Sequence, residues 1–80
     1  MPKLTLADCK VGETVILEEI LEQALRVQLF GMGCLIGEQI TIERIAPFGD
    51  PMVISIEDHF ISLRKNVAKK MQVCKTNAHD

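Results

Sequence analysis

Metal binding and nucleophilic catalysis both start from thiols and imidazoles, and this chain has few: Cys9, Cys34 and Cys74, with His59 and His79. A metal site needs several Cys, His or carboxylate ligands brought together, usually announced by close pairs along the chain. No CxxC or HxxxH pair occurs here, and the five residues are spread from one end of the sequence to the other. Nucleophilic catalysis asks for Ser, Cys or Thr beside His, with a third group to orient the base, and no such trio stands out. The glycine-dense run Gly31-Met32-Gly33-Cys34-Leu35-Ile36-Gly37 lacks the Lys-Ser/Thr pair of a phosphate loop and leads into a strand pattern, not a helix. The expectation is a protein with no catalytic residues, no metal site and no cofactor.

What is left is binding. Nucleic-acid binding is the usual rival reading for a small barrel, and it needs a basic face with aromatic stacking platforms. This chain has an isoelectric point near 5.6 and only Phe30, Phe48 and Phe60 as rings, two of which read as partly structural. Nucleic acid is therefore not expected. No run approaches the 18 or more apolar residues of a membrane span, and the longest apolar stretch, residues 29–37, carries three glycines. Direct membrane insertion is not expected either. Three scattered cysteines are no disulfide framework, and the Met-Pro-Lys start has no signal-peptide character, so the reading is cytoplasmic. Charge is unevenly spread. Residues 1–60 carry four basic and ten acidic side chains, a net −6, while residues 61–80 carry Arg64, Lys65, Lys69, Lys70 and Lys75 against Asp80, a net +4. Clustered lysines usually mark a solvated surface; they also suit guidance towards an acidic or membrane-proximal partner.

The elements that would present such surfaces follow from hydrophobic period. Eighty residues make one domain, expected over residues 1–75 with residues 76–80 as a flexible tail. Nearly half the residues are hydrophobic, 48%, and few are aromatic, so the core must be aliphatic. Residues 1–13 read as a lead-in, and Thr14-Val15-Ile16-Leu17, β-branched and bounded by Gly12, as a strand. Leu21, Leu25, Leu29 and Met32 then recur at helical spacing, with Glu22 near the positive end of the helix dipole and glycines 31, 33 and 37 ending the run. Ile40 and Ile42 alternate with Thr41 and Glu43, and the order slips at Arg44-Ile45, which suggests a bulge. Pro47-Phe48-Gly49-Asp50-Pro51 is the clearest turn, with Pro47, Gly49, Asp50 and Pro51 as its structural residues. Met52, Ile54 and Ile56 alternate, Glu57-Asp58 turns, Ile61 to Leu63 is another strand, residues 64–70 hold a short helical turn, and Met71-Gln72-Val73 closes. The pattern predicts a mainly β fold: a small SH3-like barrel of five or six short strands with one inserted helix and a short C-terminal helical turn. An open α+β sheet with the helix on one face fits the same periods.

At Arg44-Ile45-Ala46-Pro47-Phe48-Gly49-Asp50-Pro51 the sequence resembles the FeoA family, small cytosolic accessory proteins of bacterial ferrous iron transport. Val11-Gly12, the Leu29…Met32-Gly33…Gly37 helix end, Ile54, Leu63-Arg64, Ala68 and Met71-Gln72-Val73 fall in the family's order, so the resemblance covers roughly residues 4–74. Ile36 stands where the family usually has Pro, and Gln28 where a basic residue commonly precedes the Leu. The resemblance implies an SH3-like barrel that acts with FeoB, a membrane ferrous-iron permease with a cytosolic GTPase domain. It leaves open whether the action is assembly, gating or GTPase modulation. The same barrel forms the C-terminal domain of metal-dependent repressors, so the alternative is a metal-responsive regulatory or sensor domain. No helix-turn-helix precedes the barrel in this sequence, which favours a free-standing accessory.

Crowding points to the docking surface. Phe30, Met32, Cys34, Leu35 and Ile36 follow one another too closely for all to enter a small core, so some must be exposed. Exposed apolar clusters on small proteins mark contact sites, and Met adapts well to a partner. These five are the candidate partner-binding residues, with folding of the loop over the barrel end as the plainer alternative. The sequence does not choose between hetero-docking and self-association.

Overall fold

The computed structural model describes residues 3–76. Its strands are β1 (Thr14–Ile20), β2 (Gln39–Ile45), β3 (Met52–Ile56), β4 (His59–Leu63) and β5 (Met71–Lys75). The helix α1 (Gln23–Gly31) lies between β1 and β2, and the one-turn helix α2 (Lys65–Ala68) between β4 and β5. Every ladder is antiparallel, in the order β4-β3-β2-β1-β5. This is the mainly β, SH3-like class expected from the period-two runs.

Two bulges explain how the alternating pattern fills one core. In β1, Val15 and Leu17 point inward at spacing two, but the next inward residue is Ile20. The β1–β5 register slips between Leu17 and Glu19, and that extra residue brings Ile20 to the core face. From the sequence alone the strand ends at Leu17, because the phase change there imitates the start of a helix. In β2, Ile40 and Ile42 are buried, and the β2–β3 register slips between Ile42 and Arg44, where the sequence pattern also slipped. Met52, Ile54, Ile56, Ile61, Leu63, Met71 and Val73 complete the inner faces, and no buried polar or charged residue accompanies them among the described residues.

Closure differs from expectation. No ladder joins β4 to β5 among the described residues, so the hydrogen-bonded sheet is open. The outer edge of β5 is instead covered by the N-terminal segment: Val73 N–H donates to the Leu4 carbonyl at 2.9 Å, and Thr5 bridges Gln72. An edge covered in this way no longer offers a free row of backbone donors and acceptors. The segment is thus more than a lead-in, since Leu6 and Cys9 from its 3-10 turn are buried in the core. Of the expected tail, residues 77–80 lie outside the described residues. Thr76 is held, its Oγ1 donating to the Thr14 carbonyl at 3.3 Å. No helix among the described residues is long and apolar enough to cross a membrane.

Candidate partner-binding surface

Helix α1 buries only Leu25 and Leu29, one turn apart, against the barrel end. Leu21 and Met32, expected on the same stripe, are 55% and 38% exposed. The helix stops by a Schellman arrangement. Gly33 N–H donates to Phe30 O at 3.0 Å and Cys34 N–H reaches back to Leu29 O at 2.9 Å, with Gly33 at φ +87°. Such caps pair an apolar residue just beyond the glycine with one a turn inside the helix. Here those residues are Cys34 and Leu29, both 1% exposed. Cys34 is therefore corrected from surface to core, and burial pushes its thiol up to about 11, with Glu38 adding to the effect. At neutral pH it is an apolar wall.

After Cys34 the chain turns back onto β1. Gly37 N–H donates to Leu17 O at 2.7 Å, and Leu17 N–H to Glu38 O at 3.0 Å. Pinned at both ends, this loop leaves Leu35 half-buried and Ile36 49% exposed. Together with α1 it encloses a cleft of about 300 Å³ lined by Ile20, Arg26, Phe30, Cys34, Leu35 and Ile36. Four of the five expected residues meet there, with Cys34 as part of the wall, while Met32 lies outside the lining. Two further lining residues, Arg26 and Ile20, are not among the five expected from the sequence. Arg26 precedes Phe30 by four and so shares its helix face, a signal that was legible; Ile20 reaches the cleft only through the bulge in β1. The Arg26 guanidinium donates to Ile20 O at 3.4 Å and is the one charged group in the lining.

The Pro47–Pro51 turn is built as its residue types require, with one exception. Gly49 N–H donates to Ala46 O at 2.8 Å, so Pro47 and Phe48 occupy the two central positions of a β-turn. Phe48 lies at φ 71°, ψ 8°, the second central position of a type II turn, where glycine or asparagine is the ordinary occupant. Gly49 follows at φ +81°, and the Asp50–Pro51 peptide is cis. Asp50 ties the turn to α2: its Oδ1 accepts from Lys65 N–H at 3.1 Å and lies 3.9 Å from Arg64 Nη1. Phe48 itself is 99% exposed. Phe30 and Phe60 are 68% and 67% exposed, so none of the three rings is a core residue, contrary to the partly structural role expected for two of them.

A second, polar depression of about 420 Å³ is lined by Glu38, Gln39, Thr41, Ser55 and Glu57. Among the described residues no three His, Cys, Asp or Glu side chains are grouped to hold a metal ion.

Comparison with known proteins identifies the fold and the family. The family model described as FeoA domain matches residues 4–75. Among solved structures, the FeoA-like protein from Clostridium acetobutylicum is 32% identical with a TM-score of 0.82, covering 94% of this chain and 90% of that one. The FeoA protein from Chlorobium tepidum is 26% identical with a TM-score of 0.83, covering 90% and 70%. The structure of ScaR with bound Cd2+ is 24% identical with a TM-score of 0.83, covering 92% of this chain but 35% of that one, a likeness of fold alone. The search of curated proteins gives no match.

Proposed function

The chain belongs to the FeoA family, and on that premise we propose that it is a non-enzymatic, cytoplasmic accessory of ferrous iron uptake that docks on a FeoB-type GTPase-permease through the cleft beside α1. The observation that carries this reading is the cleft itself. Phe30 and Ile36 stand 68% and 49% exposed on either side of a pocket whose only charged lining group is Arg26. Apolar side chains grouped around a concavity are the form a docking site takes, because a partner's apolar anchor gains burial there without stranding polar groups. The backbone on both sides is already fixed, by the Schellman cap and by the two bonds to Leu17, so little ordering is left to be done on binding.

The test is Ile36→Glu in cells that depend on ferrous iron uptake, with co-purification of the permease. Ile36 is half outside the fold, so the variant is expected to melt within a few degrees of the parent while co-purification and uptake fall. Leu35→Glu is the harsher change, because Leu35 is half-buried and a carboxylate there also costs folding. Normal binding and uptake by a folded Ile36→Glu protein would remove the cleft from the interface.

A further inference from the structure

Phe48 contributes nothing visible to the fold. Its ring is 99% exposed, and its backbone sits at φ 71° in a turn position that glycine or asparagine would fill without strain. A large ring presented at the tip of a turn by an unfavourable backbone calls for a ligand outside the domain.

The surroundings indicate what that ligand is. Lys65 runs alongside the turn, its Nζ 3.7 Å from the position a Cβ on Gly49 would take. The carboxylate of the turn, Asp50, is already engaged by Arg64 and by the Lys65 N–H. Along α2 and the residues after it, Lys69 follows Lys65, and Lys70 lies 3.5 Å from Glu22 Oε2. Lys65 and Lys69 make no ion pair among the described residues. The Lys65 ammonium thus lies beside the turn that carries the ring, and exposed Lys69, four residues on, shares its helix face. A projecting apolar ring beside unpaired lysines matches a phospholipid headgroup layer: the ring enters the acyl boundary while the ammonium groups remain at phosphate level.

We propose that the Phe48 turn and the basic side of α2 form a peripheral contact site for an anionic phospholipid surface. One ring and a few cations make such a contact weak and reversible, and it weakens further with salt. It does not depend on the cleft or on any permease, so vesicles alone test it.

The chain has no Trp and no Tyr, so Phe48→Trp places a single reporter at the tip. At low ionic strength, vesicles of phosphatidylglycerol and phosphatidylcholine are expected to move its emission to shorter wavelength and to co-sediment both the variant and the parent, whereas pure phosphatidylcholine does neither. Replacing Lys65 and Lys69 by Ala should lower partitioning about fivefold for each charge removed. Absence of both the shift and parent co-sedimentation on anionic vesicles overturns the proposal. So does partitioning that is indifferent to phosphatidylglycerol or to the two lysines. A shift produced by detergent-solubilised permease but not by vesicles would assign the turn to an acidic protein face and overturn it equally.

Discussion

Replacing Phe48 by Gly should make the domain more stable, an unusual expectation for deletion of a large apolar side chain. The ring is 99% exposed, so removing it forfeits almost no buried surface. At φ 71° an L-residue other than glycine carries about 1–2 kcal/mol of steric cost, which the substitution releases. Glycine's greater freedom in the unfolded chain takes back about 0.5–1 kcal/mol. The balance is a gain of about 0.5–1 kcal/mol, or a rise in Tm of about 2–8 °C for a domain of this size. Thermal unfolding followed by circular dichroism at pH 7 reads it directly, with urea denaturation to verify that the m-value is unchanged. Phe48→Asn should move the same way by less. A fall of several degrees for the glycine variant would mean that the ring packs against the fold or that the turn is not type II, and the case for a ring held outward for a ligand would go with it.

The cysteines provide a pH test. Burial foremost, aided at Cys9 by Glu13 and Asp8 and at Cys34 by Glu38, raises both thiols from the ordinary 9.0 to about 11. Because the folded-state values are the higher ones, the stability these thiols contribute is fully present below pH about 9 and is lost as pH rises through about 11, a decline that Cys34→Ala should reduce. Under native conditions near pH 8, Cys74, which is only half-buried, should alkylate well before Cys9 and Cys34; equal rates for all three would contradict the core assignment. Gly33→Ala combines a backbone at φ +87° with a Cβ that would stand 3.1 Å from His59 Nε2, so it should cost about 1–2 kcal/mol or more. Adding His59→Ala should recover the contact share of that loss but not the backbone share; a neutral single variant would refute the Schellman geometry.

What could be read in the residues was what repeats. Ile40/Ile42 and Met52/Ile54/Ile56 alternate without interruption and form strands whose inner faces are as expected. The Pro47–Pro51 turn announced itself through two prolines around a glycine. Features that depend on breaking a period were harder to see. The bulge in β1 carries Ile20 inward after the pattern changes phase, so periodicity alone ends the strand early and puts Leu21 on a helical stripe it does not join. The Leu6–Asp8 turn is too short to show any period, although Leu6 is wholly buried. Within the candidate surface, crowding shows that some side chains of residues 30–36 must stay outside the core but does not choose among them. That choice was made by the glycine-capped end of α1, which sends Cys34 inward beside Leu29 and leaves Phe30 and Ile36 at the rim.

The most direct test of docking through the cleft is a calorimetric titration of solubilised FeoB-type permease with the parent protein and with Ile36→Glu, at several temperatures. Burial of the cleft predicts a negative heat-capacity change for the parent. A carboxylate forced into that desolvated contact should weaken the variant's Kd by at least about tenfold, the equivalent of 1.4 kcal/mol. Equal affinities and equal heat-capacity changes for two proteins that melt alike would contradict the account.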